Sequence, residues 1–173
     1  MRVLGVDCGS EYTGYGVVED DGERLLCLVS GAIRLAPREA LERRLLRVRE
    51  ELSALIATHR PEVVAIEDIF YSVNAKSALK LGHVRGVAMM TAAEHALAVV
   101  AYAPLAIKSA VVGYGRAEKS QVQQMVARLL QLDAPPQPAD AADALAIAIC
   151  HIHTAATLLR QAAAPGCRAA VPR

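Results

Sequence analysis

The chain begins with three segments in which apolar residues cluster or alternate with polar ones, as they do in β-strands. The first runs from Arg2 to Cys8, the second is "GYGVVED" and the third is "ERLLCLVSGAIRL". The Asp21-Gly22 pair between the last two is typical of a hairpin turn. Connections this short predict three consecutive antiparallel strands.

The middle of the chain combines helical periodicity with short apolar runs. Leucines recur at helical spacing after Pro37, which predicts a helix to about His59, and "EVVAIEDI" predicts a fourth strand. A second helix is expected from about Asn74 to Leu97, followed by the short strand "AVVAYAP". Gly82 and Gly86 lie four residues apart on that helix, and would allow close packing on either the sheet or a second subunit.

Three further helices are expected in the last third, in "LAIKSAVVG", from Lys119 to Leu132 and from about Asp140 to Ala162. Strands four and five should be parallel because helices connect them. The pattern therefore predicts an α/β fold with a mixed five-stranded sheet flanked by helices. Residues 1–163 form one domain in this interpretation, and residues 164–173 a disordered tail.

Composition agrees with one globular domain: the 173 residues are 54% hydrophobic and 3% aromatic, with no Trp. The core must therefore be aliphatic and rich in alanine. We expect no membrane span and no signal peptide. The four cysteines show no CxxC spacing, which favours reduced thiols and a cytoplasmic location.

Charge is unevenly distributed although the net charge is only +1. Residues 72–128 contain seven cations and two anions, a balance of +5, which leaves −4 for the rest. A basic central segment is compatible with a polyanionic partner, although exposed lysines are usually just a solvated face.

Four acids occur in apolar surroundings. Asp7 interrupts the first strand, Glu67 ends the fourth, and Asp140 and Asp143 share one face of the last helix. Each also has a structural explanation: Asp140 as a helix-capping acid, Asp7 as a partner of the glycine turn, and Glu67 as a partner of a buried arginine. Asp143 is harder to explain in this way, because one cap needs one acid.

Together the four acids favour a cation site, since gathered carboxylates repel one another unless a strong cation binds among them. Mg²⁺ prefers oxygen ligands of this kind, and two such ions can activate water and stabilise the leaving oxygen of a phosphodiester. Lys108 and Lys119 could offset charge in the transition state. His151 and His153 lie two apart on a helix and cannot chelate one ion together.

Five segments together resemble the RuvC family of Holliday-junction resolvases. They are "LGVDCGSEYTGYGVV", "AIEDIF", "NAKSALKLGHVRGVA", "VVGYGRAEKSQVQQMV" and "ADAADALAIAICH". The resemblance implies a ribonuclease-H-like fold and a Mg²⁺-dependent endonuclease with two ions per site, with Mn²⁺ as a possible substitute. It also implies a homodimer that nicks two opposed strands of a four-way DNA junction, leaving 5′-phosphate and 3′-hydroxyl ends, and cooperation with a branch-migration complex of the RuvA and RuvB type.

The resemblance also assigns roles to residues. Asp7, Glu67, Asp140 and Asp143 would bind the metal ions, and Lys108 and Lys119 would lie near the scissile phosphate. Phe70 would stack on unpaired bases at the junction centre, where base–aromatic stacking is worth about 1–3 kcal/mol per base. The remaining expected DNA contacts are Tyr71, Asn74, Lys76, Lys80, Arg85 and Arg116.

One residue departs from the family pattern: Cys8 stands where Pro most often follows the first Asp. We expect little effect on metal binding, because Pro would only fix the backbone there. The substitution would place a thiol beside the metal site, open to oxidation or to a soft metal such as Zn²⁺.

Three other functions remain open from the residues. The first hairpin also resembles that of the ATP-binding sugar-kinase and actin superfamily, but 173 residues are too few for its second lobe. A non-catalytic junction-binding module would retain the acids as remnants. A related nuclease could use the same chemistry on an RNA–DNA hybrid.

Overall fold

The computed structural model describes residues 1–68 and 75–163, the first three of the second stretch by their backbone only. The predicted tail therefore lies outside the described residues. The elements in chain order are β1 (Arg2–Asp7), β2 (Tyr12–Asp20), β3 (Leu25–Arg34), α1 (Leu41–His59), β4 (Val63–Glu67), α2 (Ala75–Glu94), β5 (Ala98–Tyr102), α3 (Pro104–Val112), α4 (Lys119–Leu129) and α5 (Ala139–Ala163).

The five strands form one mixed sheet in the order β3-β2-β1-β4-β5. β1, β2 and β3 are antiparallel, whereas β4 pairs in parallel with both β1 and β5. The predicted meander and the predicted parallel pair are thus confirmed. Because β1, β3, β4 and β5 run in the same direction, their carboxyl ends meet at one edge of the sheet.

Helix boundaries differ from the sequence prediction by a few residues. α1 begins at Leu41 rather than at Pro37, because Ala40 has an extended backbone (φ −57°, ψ 143°) and starts the helix only after a turn. α4 ends at Leu129 rather than at Leu132, since Gln131 takes a positive φ of 53°. Periodicity indicates a helix reliably, but the turn at its end depends on single backbone angles.

α5 lies directly on β1 and β2, and three glycines make this close approach possible. A methyl group added to Gly5 would overlap the carbonyl oxygen of Ala144, and one added to Gly14 would overlap that of Asp140. At Gly16 the neighbour would be the side chain of Leu145. Small residues on both surfaces therefore bring the start of α5 close to the end of β1.

The sheet separates two apolar cores. On one face, α3, α4 and α5 cover a cluster that includes Val3, Val126, Leu145 and Ile149. On the other face, α1 and α2 cover a second cluster that includes Leu4, Val48, Leu52 and Ile66. Alternation along β1 sends Val3 to the first cluster and Leu4 to the second, as a two-residue repeat requires.

α5 also has the length and apolar composition to cross a membrane, with a mean hydropathy of 1.5 over its most apolar window. Half of that window is buried inside the protein. Its apolar side chains from Ala141 to Ile152 contact the sheet and the neighbouring helices, which accounts for the composition without a membrane.

Candidate active site

Two of the four acids lie side by side at the carboxyl edge of the sheet. Val6 is level with Ile66 in the parallel ladder, so Asp7 and Glu67 follow as neighbours at the ends of β1 and β4. Adjacent strands are about 4.8 Å apart, which places the two backbones at that separation. The strand pairing therefore brings together two carboxylates that are 60 residues apart in sequence.

The N-terminal end of α5 brings the other two acids to the same edge. The backbone of Asp140 lies against Gly14, the residue of β2 that pairs with Asp7. Asp143 lines a cavity of about 200 Å³ together with Asp7 and Glu67. The structure thus assembles the predicted acids from three elements, as the sequence analysis expected.

Both predicted lysines lie at this cavity. Lys108 on α3 and Lys119 at the start of α4 line it, and the Nζ of Lys119 is 2.6 Å from Oδ2 of Asp143. The remaining lining is apolar and includes Pro104, Ile107 and Val122. The cavity is therefore lined by carboxylates, ammonium groups and apolar side chains.

The pKa values of these acids show that it is electrostatically unfavourable to bring them together. The pKa of Asp7 is raised to about 7, mainly by burial and also by the negative charges of Glu67, Asp143 and Asp140, against the opposing effect of Lys119. Burial also raises the pKa of Glu67, with Asp143 adding to the shift and the two lysines opposing it. The hydrogen bond to Asp143 raises the pKa of Lys119.

The donor set fits a hard divalent cation such as Mg²⁺, because it consists of carboxylates that destabilise one another's charged forms. As the side chains stand, no group of three or more His, Cys, Asp or Glu within residues 1–68 and 75–163 has the geometry of a metal centre. The ammonium group of Lys119 instead neutralises Asp143. A bound cation would take over that role.

Several predicted DNA contacts cannot be placed. Phe70, Tyr71 and Asn74 lie outside the described residues, as does the side chain of Lys76. Lys80 on α2 and Arg116 between α3 and α4 are exposed, which suits a phosphate contact. These assignments stay predictions.

Arg85 has a structural partner that the sequence did not indicate. Its Nη2 is 3.2 Å from Oδ1 of Asp68, the residue that follows Glu67, and its side chain is only 20% exposed. The Nη1 also donates to the sulfur of Met89. This geometry favours a role in holding α2 against the end of β4 over a direct phosphate contact.

The structure also bears on Cys8. Its side chain packs against the cluster beneath α1 and α2, the opposite face of the sheet from α5. The pKa of the Cys8 thiol is raised to about 12, mainly by burial and also by the negative charge of the neighbouring Asp7. Because the thiolate is the reactive and metal-binding form, the expected sensitivity to oxidation or Zn²⁺ is not supported.

One positioning residue escaped the sequence analysis. Arg44 on α1 is 9% exposed and donates a hydrogen bond from Nη2 to the carbonyl oxygen of Ser10, in the turn directly after β1. It is the only charged residue among the buried ones in the described part of the chain. Its place within "LERRLLRVRE" gives no distinguishing signal, since arginines are usually exposed.

A mixed five-stranded sheet with helices on both faces and four carboxylates at one edge defines the class of ribonuclease-H-like nucleases. Residues 3–151 match the family model described as "Crossover junction endodeoxyribonuclease RuvC". The crossover junction endodeoxyribonuclease RuvC of Koribacter versatilis is 68% identical over 161 residues, which cover 92% of this chain and 97% of that protein. The chain belongs to the RuvC family.

Solved structures agree with this membership and with the ribonuclease-H-like fold. The RuvC of Thermus thermophilus is 34% identical and has a TM-score of 0.83, covering 91% of this chain and 96% of that one. The same protein in complex with a Holliday junction substrate is 32% identical, with a TM-score of 0.84 and the same coverage. The predicted family and fold are thereby confirmed.

Proposed function

We propose that this protein is a metal-dependent endonuclease that resolves four-way DNA junctions in recombination and repair. The observation that carries the proposal is the assembly of Asp7, Glu67, Asp140 and Asp143 at one sheet edge, beside Lys108 and Lys119. Family membership supports the substrate, because a relative has been solved with a Holliday junction. A non-catalytic module would have no need of carboxylates that raise one another's pKa.

The four acids would hold two Mg²⁺ ions, with Mn²⁺ as a substitute. When bound, such ions supply an activated water and charge stabilisation for a phosphodiester. Asp7, at the centre of the group, would contact both ions, while Glu67 and the α5 pair would contribute one side each. This division is the one that the family resemblance implies, and the charges of all three other acids also act on Asp7.

Lys108 and Lys119 would interact with the phosphate that is cleaved. If a cation neutralised Asp143, the ammonium group of Lys119 would be free to turn to the phosphate, and Lys108 lines the same cavity. In hydrolysis the oxygen of water bonds to phosphorus, and the 3′-oxygen leaves and takes up a proton. The products are a 5′-phosphate and a 3′-hydroxyl. Two positive side chains stabilise the extra negative charge that develops in between.

The junction requires contacts beyond the cut. From the resemblance to the family, we assign Phe70 to base stacking and Tyr71, Asn74, Lys76, Lys80 and Arg116 to backbone contacts. Phosphate contacts of this kind position a nuclease and carry no sequence preference. Arg85 would instead hold α2 in place through Asp68.

A homodimer would allow two opposed strands to be cut together, and α2 offers the surface for it. Within residues 1–68 and 75–163, a methyl group added to Gly82 or Gly86 would meet nothing within 4 Å, so these glycines do not serve packing on the sheet. Leu79, Met89 and Met90 beside them are 63%, 39% and 49% exposed. We also propose a cytoplasmic location and cooperation with a RuvA- and RuvB-type motor.

The test is cleavage of a synthetic four-way junction with Mg²⁺, beside linear duplex and an RNA–DNA hybrid. We expect paired symmetric nicks in the junction. Asp7→Asn should lower the rate by about 100-fold or more, because it removes a charge from the centre of the site. The matched control is Asp133→Asn, which changes an exposed aspartate away from the cavity and should cleave like the wild type.

Other outcomes would reject the proposal in different ways. Cleavage of the hybrid but not of the junction would retain the chemistry and change the substrate. Tight junction binding without cleavage at any concentration of Mg²⁺ or Mn²⁺ would make the protein a binding module.

A further inference from the structure

The N-terminal end of α1 lies at the same edge of the sheet as the carboxylates. Gly14 pairs with both Asp7 and Ala32, so Arg34, two residues further along β3, extends beyond Asp7 at that edge. The amide of Leu35 donates to the carbonyl of Glu11 at 2.8 Å, which fastens the end of β3 to the turn after β1.

α1 is fastened to the same turn by the buried Arg44, which donates to the carbonyl oxygen of Ser10. The far end of α1 reaches the opposite edge, where Nη1 of Arg2 donates to the carbonyl of His59 at 3.2 Å. The direction of α1 is thus fixed at both ends, with its first turn beside the active site.

This region is strongly basic. Residues 34–49 contain six arginines and two glutamates, a balance of +4, although the chain outside residues 72–128 sums to −4. Arg47 pairs with Glu39 at 3.6 Å and Arg49 pairs with Glu94 at 3.1 Å.

Three exposed arginines remain, Arg34, Arg38 and Arg43, and none forms a salt bridge within the described residues. We call these three the α1 arginine surface. The exposed acids nearby are Glu11 and Glu42, so positive charge remains in excess. Arg43 also lies in the first turn of α1, where the helix dipole disfavours a cation. Folding alone therefore gives no reason for arginines at these positions.

We propose that the α1 arginine surface binds backbone phosphates of the duplex arm that adjoins the cut. Two strand spacings separate Asp7 from Ala32, and the arginines lie beyond it, which places them roughly 10–20 Å from the carboxylates. At 3.4 Å per base pair, that distance is about three to six base pairs of duplex. The α1 arginine surface would extend the DNA contact from the cavity across β2 and β3. This inference rests on the proposed function.

The test compares two triple variants with the same loss of charge. One is Arg34→Gln, Arg38→Gln and Arg43→Gln. The matched control is Arg24→Gln, Arg128→Gln and Arg160→Gln, which removes three exposed arginines far from the carboxylate edge. Junction affinity is measured from 50 to 300 mM salt with long-armed junctions, together with KM and kcat.

We expect the first triple variant to bind at least about tenfold more weakly near 150 mM salt, with a log–log salt slope shallower by about 2–3, as the loss of three phosphate contacts requires. The three substitutions should raise KM by a larger factor than they lower kcat. Methylphosphonate linkages placed about three to six base pairs from the cut should weaken wild-type binding but add little to the defect of the variant.

Equal affinities and equal salt slopes in the two triple variants would overturn the proposal while leaving the nuclease intact. A defect that persists in full when the methylphosphonates are present would also overturn it, since the arginines would then contact something else. Absence of junction binding by the wild-type protein would instead reject the proposed function, and this inference with it.

Discussion

The environment of Asp7 indicates that the four acids are placed to bind a ligand. This placement lowers the folding stability of the protein without the ligand. It is the acid with the largest pKa rise, because it is buried and three other carboxylates surround it. An isolated protein gains nothing from this arrangement, since each charge destabilises the next. The free energy lost in this way is regained only when a cation binds among the carboxylates.

The first prediction is that Asp7→Asn stabilises the metal-free protein. The pKa of Asp7 is about 7 in the folded state against an ordinary value of 3.8, so the folded protein holds the proton more tightly and loses stability as pH rises from about 4 to 7. Removing the charge should therefore add about 1–3 kcal/mol above pH 7. Thermal unfolding in EDTA measures this as a rise of several degrees.

The gain should shrink as pH falls from 7 to 4, and Mg²⁺ should stabilise the wild type more than the variant. The control Asp133→Asn should show neither effect, because that side chain is exposed. A variant that unfolds below the wild type at pH 8 in EDTA would contradict this account of the site.

At the scale of elements, the strands and helices could be predicted from periodicity, whereas their ends could not. Apolar runs identified all five strands, and helical spacing identified all five helices described here. The start of α1 was misplaced because Pro37 signals a helix start, while the extended backbone of Ala40 delays it. Such turns depend on local angles that apolar patterning does not encode.

How closely α5 packs on the sheet could not be predicted from the sequence. The sequence predicts only that the glycines in "LGVDCG" and "YTGYGVV" belong to strands. The structure shows that α5 packs directly against them. The acids on α5 were predicted from their spacing to share one face of the helix. Their distance from Asp7 follows from the glycines.

The second prediction is that Gly14→Ala impairs cleavage more than Gly16→Ala does. Both substitutions add one methyl group on the same strand, but at Gly14 it would overlap the backbone of Asp140, whereas at Gly16 it would meet the side chain of Leu145, which carries no catalytic group. Both should destabilise by about 1–3 kcal/mol. Activity per folded molecule at saturating Mg²⁺ should fall about tenfold or more at Gly14 alone.

Circular dichroism gives the folded fraction for each variant, so that lost activity and lost stability are counted separately. Equal activity per folded molecule in the two variants would show that the position of α5 is not critical for Asp140.

At the scale of the whole molecule, the sequence could indicate charge but not where charge collects. The count over residues 72–128 identified cations near the cavity, but the sum for the rest, −4, concealed the arginines between residues 34 and 49. Only the sheet order shows that the end of β3 and the start of α1 reach the edge that carries Asp7. Gly82 and Gly86 were equally ambiguous in the sequence, and their open surroundings now favour a second subunit.

The third prediction is that Gly82→Leu with Gly86→Leu dissociates the dimer without unfolding the subunit. Within the described residues an added Cβ at either position would meet nothing within 4 Å, and replacing glycine in a helix favours folding by up to about 1 kcal/mol per residue. Between two subunits the same side chains would hold the helices apart. Sedimentation should give the 18.4 kDa mass of one chain for the variant and twice that mass for the wild type.

Gln124→Leu, which adds an exposed leucine to α4, controls for apolarity alone and should remain dimeric. On a supercoiled plasmid with an extruded cruciform, paired cutting by a dimer yields linear DNA, whereas independent cutting accumulates nicked circles. The double variant should shift the product from linear to nicked. A double variant that keeps twice the chain mass would exclude the α2 face as the interface, and a wild type that sediments as one chain at micromolar concentration would exclude the dimer itself.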